Sequence, residues 1–174
     1  MTPVATPALD LLADAFLYPD PVRARRLGLP ARSLPTACRG SWTRFTEAVQ
    51  RLEPSAWEEL YTRTLDLNPV AAPYVGYQLF GEDYRRGAFM AEMMREQERL
   101  DVDSDGELAD HLAPVLRYLA RASAPSEQVI ERTREALTKM ARQLEIIDRA
   151  NPYRHLVRAT QAALDELAEG RRDG

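Results

Sequence analysis

Apolar residues recur at intervals of three and four along most of the chain, the spacing that gathers side chains on one face of an α-helix. No segment has the strict alternation of apolar and polar positions that is typical of a half-buried strand. The pattern therefore predicts an all-α fold, a single-domain bundle of about seven to eight helices. Its clearest stripes are Leu9, Leu12, Ala13, Phe16 and Leu17; Leu108, Leu112, Val115, Leu116 and Leu119; and Ile130, Thr133, Leu137, Met140, Leu144 and Ile147.

Polar residues before these stripes are expected to cap the helices, since their side-chain oxygens can accept hydrogen bonds from free backbone N–H groups. Ser55 and Glu58 have the spacing of a capping box. A loop is expected over 28–40. An irregular connection is expected over 66–81, where proline and glycine alternate with aromatic residues. The predicted caps are Ser41, Ser55, Ser126 and Asn151.

The amino-acid composition supports the helical prediction. Leu and Ala together supply 47 of the 174 residues, whereas Val and Ile supply 12. The first pair favours helices and the second favours strands. A chain of this length can bury roughly 70% of its surface on folding. We therefore expect residues 1–174 to form one domain with a full hydrophobic core.

Charge and cysteine content narrow the class of function. The chain carries 23 Lys and Arg against 27 Asp and Glu, a net charge of −4, so it lacks the basic field that attracts nucleic acid. Its one cysteine, Cys38, has no partner for an intramolecular disulfide. One cysteine and two histidines are too few ligands for an obvious structural zinc site. We expect no cofactor and no metal.

Neither a membrane span nor a signal peptide is expected. No stretch approaches the roughly 18 apolar residues that a membrane-spanning helix needs. The first twenty residues lack a basic n-region, and Asp10 and Asp14 interrupt their apolar run. The expected location is the cytoplasm.

The segment 101–106 reads Asp-Val-Asp-Ser-Asp-Gly, which is how an EF-hand calcium loop begins. Position twelve of that loop should be a bidentate glutamate, and here it is Leu112, which cannot coordinate a cation. A calcium-responsive helical module is one interpretation of this segment. A solvated acidic turn is the other.

Glu107, Asp110 and His111 are expected in the first turn of the following helix, where acidic side chains complement the helix dipole. The spacing of Glu107 and His111 would place them on one face, and the carboxylates would raise the pKa of the histidine. The trio could serve a small helical hydrolase with His111 as general base. No nucleophile motif or phosphate loop accompanies it, so helix capping and partner binding are favoured.

Residues 92–110 hold eight Asp and Glu against two Arg, a local net charge of −6. Such a surface would attract an arginine-bearing peptide through long-range electrostatics. Alternatively, it only keeps the domain soluble. The nearby Met90, Met93 and Met94 either fill the core or line a groove for varied peptides.

Three longer segments have an order and spacing that point to a known family. Residues 11–19 read Leu-Leu-Ala-Asp-Ala-Phe-Leu-Tyr-Pro. A second segment runs from Glu-Leu-Tyr-Thr-Arg-Thr-Leu-Asp-Leu at 59–67 to Gly-Glu-Asp-Tyr-Arg-Arg-Gly at 81–87. The third, 107–116, contains Glu-x-x-Asp-His-Leu. Together they resemble the TorD/NarJ family of molybdoenzyme-assembly chaperones. The NarJ branch is closer, since Asn-Pro-Tyr at 151–153 fits it and Leu108 stands where the TorD branch usually has proline.

The resemblance implies an all-helical, cytoplasmic chaperone without enzymatic activity. Its partner would be the apo catalytic subunit of a molybdoenzyme of the dimethyl-sulfoxide-reductase superfamily, with nitrate reductase or a close relative as the leading client. The chaperone would hold the client's N-terminal segment, often a twin-arginine signal or its remnant, and keep the subunit competent for molybdenum-cofactor insertion. The residues that match the family's peptide-binding surface are Tyr61, Leu65, Glu107, Asp110, His111 and Pro114, with Tyr74 and Tyr77 as further candidates.

Overall fold

The computed structural model describes residues 5–28 and 32–173. Within these ranges nine α-helices and one isolated β-bridge are present, which confirms the all-α prediction. The number of helices in these ranges is one above the predicted seven to eight. A π-helical turn, Thr62–Asp66, directly follows α4. The α-helices are α1 (Ala5–Ala15), α2 (Pro21–Leu27), α3 (Thr36–Gln50), α4 (Pro54–Tyr61), α5 (Val75–Phe80), α6 (Tyr84–Arg99), α7 (Leu112–Arg121), α8 (Glu127–Ile147) and α9 (Tyr153–Arg172).

Helix α7 lies inside the bundle, because every residue from 112 to 120 is buried. It packs against α1 and α6, while α9 packs against α1, α3 and α8. A helix that is buried on all sides must be enclosed by its neighbours. One hydrophobic cluster joins these helices, and its members include Phe16, Phe45, Phe89, Met93, Leu116 and Tyr153.

Helix α3 begins earlier than the sequence pattern predicts. It starts at Thr36 rather than after Ser41, because the buried Cys38 extends the apolar stripe of Trp42 back by one turn. The predicted loop over 28–40 is correspondingly shorter, and its residues 29–31 lie outside the described ranges. The cap predicted at Ser41 is therefore wrong.

Helix α4 also begins earlier, at Pro54, and the cap predicted at Ser55 is wrong. Proline suits a first helical turn because its ring presets the backbone angle and its missing N–H is not needed there. Glu53 precedes the helix and makes no side-chain cap hydrogen bond. The polypeptide then continues through the π-helical turn to Leu67, close to the break predicted at Asn68.

The remaining predicted caps lie at or beside the right positions. The Ser126 hydroxyl accepts a hydrogen bond from Val129 N at 3.4 Å and begins α8. Asn151 lies one residue before the N-cap of α9, and its Oδ1 accepts from Tyr153 N at 3.0 Å. Its Nδ2 donates to Thr64 Oγ1 at 2.8 Å, which ties the start of α9 to the π-helical turn.

None of the helices in the described ranges combines the length and apolarity that a membrane crossing requires.

Candidate functional site

Residues 73–75 lie antiparallel to residues 110–112. Val75 N donates a hydrogen bond to the carbonyl of Asp110 at 2.7 Å, and an isolated β-bridge pairs Tyr74 with His111. The backbone thereby brings together the irregular connection and the Glu-x-x-Asp-His-Leu segment, which are far apart along the chain.

His111 precedes α7 and does not lie in the first helical turn. It is the N-cap of a helix that starts at Leu112, and its Nδ1 accepts a hydrogen bond from Ala113 N at 3.0 Å. The ring is buried and packs edge-on against Tyr74, with 5.1 Å between the ring centroids. The prediction that Glu107 and His111 share a helix face is wrong, because Glu107 lies in the preceding loop.

The protonation chemistry of His111 also differs from the sequence-based expectation. Burial, together with the positive charge of Arg117, lowers the pKa of His111 to about 3. The predicted increase in this pKa is wrong, because burial and the charge of Arg117 both disfavour the protonated ring. A neutral ring whose Nδ1 is engaged with the backbone serves as a structural cap, so the hydrolase interpretation loses its general base.

Asp110 is fully buried and is bound by Arg86 from α6. Arg86 Nε donates to Asp110 Oδ2 at 2.9 Å, and Nη2 donates to Oδ1 at 3.4 Å. The guanidinium carbon of Arg86 lies 5.5 Å from the ring centroids of both Tyr74 and Tyr77. Gly76 permits this close packing, since a Cβ there would lie 2.8 Å from Asp110 Oδ2. Arg86 therefore links the buried carboxylate to both tyrosines through charged hydrogen bonds and cation–π contacts.

Glu107 is half-buried and accepts a hydrogen bond from the Tyr74 hydroxyl at 3.3 Å. Burial raises the pKa of Glu107, and the charges of Asp66 and Asp105 raise it further, against the opposing effect of the Tyr74 hydrogen bond. Burial and the Glu107 charge raise the pKa of Tyr74 to about 12. Within the described residues, neither Glu107 nor Asp66 forms an ion pair with a cation. This part of the surface thus holds a carboxylate, Glu107, whose pKa is raised by a second one nearby.

Tyr61 extends the same site toward the end of α1. Its side chain is buried, and its ring packs edge-on against Tyr18 with a centroid distance of 5.5 Å. Burial raises the pKa of Tyr61, and the charges of Glu107 and Asp66 raise it further. The Tyr61 hydroxyl therefore lies within the electrostatic field of both carboxylates.

The ring contacts, the hydrogen bond, the contacts through Arg86 and the electrostatic interactions described above link six side chains, which we call the aromatic–acidic face. Three of the eight residues predicted to bind peptide, Tyr74, Tyr77 and Glu107, reach the solvent there, whereas the other five are buried. Asp66 and Tyr18 were not among the predicted site residues, although both occur in segments that carry the family resemblance. The buried five are Tyr61, Leu65, Asp110, His111 and Pro114. The aromatic–acidic face consists of Tyr18, Tyr61, Asp66, Tyr74, Tyr77 and Glu107.

Arginine binds the acidic turn 101–106 to the bundle. Arg117 pairs with the Asp105 carboxylate, donates to the Asp103 carbonyl at 2.7 Å, and donates to Asp14 Oδ1 at 2.8 Å. Asp103 Oδ1 in turn accepts from the backbone N–H of Asp105 at 2.9 Å. Two of the carboxylates that a calcium loop would use, those of Asp103 and Asp105, are thus engaged by the protein's own donors. Across the described ranges, no group of three or more His, Cys, Asp or Glu is arranged to hold a metal ion.

Comparison with known families gives the decisive observation. The family model described as nitrate reductase delta subunit matches residues 31–167, well over half of the chain. The chain belongs to the nitrate reductase delta subunit family. This is a NarJ/TorD-type chaperone family, which confirms the resemblance seen in the sequence. As a member of the nitrate reductase delta subunit family, the chain is a chaperone of molybdoenzyme assembly and not an enzyme, so the hydrolase interpretation is wrong. No curated protein sequence matches the chain.

Proposed function

We propose that this chaperone binds the apo catalytic subunit of a nitrate reductase, or of a close relative in the dimethyl-sulfoxide-reductase superfamily. It acts as one domain in the cytoplasm and holds the client's N-terminal segment, a twin-arginine signal or its remnant, while the molybdenum cofactor is inserted and the subunits assemble. The observation that carries the proposal is the aromatic–acidic face, where the partly exposed Tyr74 donates a hydrogen bond to Glu107 and where, among the described residues, neither Glu107 nor Asp66 forms an ion pair with a cation.

The charged part of a client peptide fits the carboxylates of this face. The negative charge of Asp66 repels that of Glu107 and raises the pKa of Glu107, and neither carboxylate forms an ion pair with a cation among the described residues. A client guanidinium between them would relieve this repulsion, and its planar fork suits carboxylate oxygens. An arginine-bearing peptide is therefore a better fit than a neutral or acidic one.

The apolar part of a client peptide fits the rim of the face. Tyr18 and Tyr77 are 45% and 40% exposed, and Leu67 and Leu108, which adjoin Asp66 and Glu107 along the chain, are 68% and 49% exposed. Large apolar side chains that surround charged groups are typical of surfaces that receive amphipathic segments. Met94 is also exposed, whereas Met93 is buried in the core.

Two of the five buried residues that were predicted to bind the peptide, Asp110 and His111, act here as positioning residues. Asp110 holds Arg86, whose guanidinium contacts both Tyr74 and Tyr77. His111 caps α7 and packs against the Tyr74 ring. Their contribution to client binding would thus be to fix the orientation of the exposed tyrosines.

Affinity capture from the native cell tests this proposal. The tagged full chain should retain a large molybdopterin-dependent subunit, identified by mass spectrometry. Asp66→Asn combined with Glu107→Gln should retain much less of it. The matched control, Glu135→Gln with Glu169→Gln, removes two exposed carboxylates elsewhere and should retain as much as the wild type. Failure to recover any such subunit, or equal recovery with both double variants, would contradict the proposal.

A further inference from the structure

A second charged surface lies where α3 packs against α9. The rings of Phe45 and Tyr153 hold the two helices together there, with 5.2 Å between their centroids. Next to this contact, one arginine of α3 meets three basic residues from the first two turns of α9. We call this group the basic patch, and it consists of Arg44, Arg154, His155 and Arg158.

The members of the basic patch lie close enough to repel one another. Burial lowers the pKa of His155, and the positive charges of Arg154, Arg158 and Arg44 lower it further. No guanidinium of the patch forms an ion pair with a carboxylate within the part of the chain that the structure describes. Glu47 follows Arg44 by one turn of α3 and is not paired with it. The patch is thus positive charge without compensation on a chain whose net charge is negative.

Two further features indicate that the positive charge of the basic patch lacks an anionic partner within the described residues. Arg154 Nε and His155 Nδ1 are buried without a hydrogen-bond partner, although Arg154 Nη1 donates to the carbonyl of Arg149 at 2.6 Å. The first turn of α9 contains no acidic residue that would complement the positive end of its dipole. An anionic partner would relieve both the mutual repulsion and the unfavourable dipole interaction.

We propose that the basic patch docks an acidic segment of the client subunit, separately from the aromatic–acidic face. The identity of the partner rests on the proposed function. Arg44 and Arg158 are exposed and belong to two different helices, so their guanidinium forks are spread over a surface and suit successive carboxylates of a peptide segment. Binding at two sites of opposite charge would raise the effective concentration of each client segment at its own site.

Titration of the full chain with a fluorescent octaglutamate peptide at low salt tests the charge recognition. Arg44→Glu combined with Arg158→Glu should weaken binding by at least about tenfold, because two attractive charges become repulsive. The matched control, Arg171→Glu with Arg172→Glu, reverses two exposed arginines in the last turn of the same helix and should stay within about twofold of wild type. Equal losses in both variants would overturn the assignment. Displacement of the peptide by stoichiometric inorganic pyrophosphate would also overturn it, since the patch would then be a site for a small phosphate.

Two further measurements separate this inference from the proposed function. The patch variant should bind an arginine-bearing peptide as the wild type does, and should capture less apo catalytic subunit from the native cell than the control variant. Unchanged capture by the patch variant would overturn the assignment of the partner. If the wild type fails to bind the arginine-bearing peptide while octaglutamate binding still depends on the patch, the proposed function fails and the charge recognition stands.

Discussion

His111 stabilises the start of α7 only while its ring is neutral. Its Nδ1 accepts a backbone hydrogen bond, which a protonated nitrogen could not do. Sequence spacing identified this residue as important, but it indicated a base next to carboxylates. The structure gives it a capping role instead, because the ring is only 1% exposed. Burial depends on which other elements pack around the residue, and local spacing in the sequence does not show this.

Folding stability is expected to fall as the pH drops from about 6.5 toward 3. The unfolded chain protonates His111 near the ordinary histidine pKa of about 6.5, whereas the folded ring has a pKa of about 3. The unfolded state therefore binds more protons in this window, so acid favours unfolding by up to about 1.4 kcal/mol per pH unit. Urea unfolding at several pH values measures this slope.

Two substitutions identify His111 as the source of that slope. His111→Ser keeps a capping oxygen and removes the titration, so its stability should depend less on pH than that of the wild type. His155→Asn removes a histidine that is less buried, and it should change the slope less. An unchanged slope in His111→Ser would refute the assignment.

Arginine partners were the residues that sequence analysis missed. Arg86 and Asp110 are 24 positions apart, and Arg117 and Asp14 are 103 positions apart. No local spacing rule connects residues at such separations, whereas the helix rules connect residues three or four apart. The tertiary fold alone brings these charges together.

Among the elements, the long helix α8 was predictable from its apolar stripe and the six-residue helix α5 was not. α8 has six turns in which an apolar stripe can repeat, and its predicted start at Ser126 is confirmed. α5 has six residues, too few for a periodic pattern, and was expected to be irregular. Tertiary contacts fix it instead, since Gln78 Nε2 donates to the carbonyl of Ala72 and to Gln143 Oε1, each at 2.9 Å.

Gly76 in α5 is expected to tolerate no side chain. A Cβ there would lie 2.8 Å from Asp110 Oδ2 and 3.0 Å from Arg86 Cγ, so Gly76→Ala should destabilise the fold by roughly 1–3 kcal/mol. Gly87→Ala is the matched control, because nothing lies within 4 Å of its Cβ position in α6. It should stabilise the protein by about 0.4–1 kcal/mol, since alanine loses less backbone entropy on folding. Thermal unfolding measures both, and similar effects of the two substitutions would contradict the packing described here.

Arg117 is expected to hold the acidic turn against α1 and α7. Arg117→Met removes one of the two arginine partners of Asp105 and one of the partners of Asp14, and should cost about 3 kcal/mol because buried charges lose compensation. Hydrogen exchange should become faster over residues 101–107. Arg121→Met is the control; it breaks an exposed pair with Asp10 and should cost less than about 1 kcal/mol. Unchanged exchange in Arg117→Met would show that the turn is held by other contacts.

Across the whole molecule, the attraction for a client peptide depends more on where the charged groups lie than on the net charge. The net charge of −6 over residues 92–110 overstates the attraction for a basic peptide, because three of its acidic groups also pair with arginines outside the segment. Glu107 and Asp66 have no such partner in the described ranges, and Glu107 accepts a hydrogen bond from the partly exposed Tyr74. The sequence predicts a basic client peptide, and the side chains that we propose to meet it are those of the aromatic–acidic face. The three pairs are Glu92 with Arg132, Asp105 with Arg117 and Asp110 with Arg86.

Isothermal titration of the full chain with a twin-arginine peptide tests the role of the aromatic–acidic face most directly. The wild type should bind, and more weakly as salt is added. Asp66→Asn with Glu107→Gln should lose roughly 1–3 kcal/mol of binding free energy, because it removes the two carboxylates that face the arginines. The Glu135→Gln and Glu169→Gln control should bind as the wild type does. Equal affinity of all three proteins, or no binding by the wild type, would contradict the assignment of this face to the client peptide.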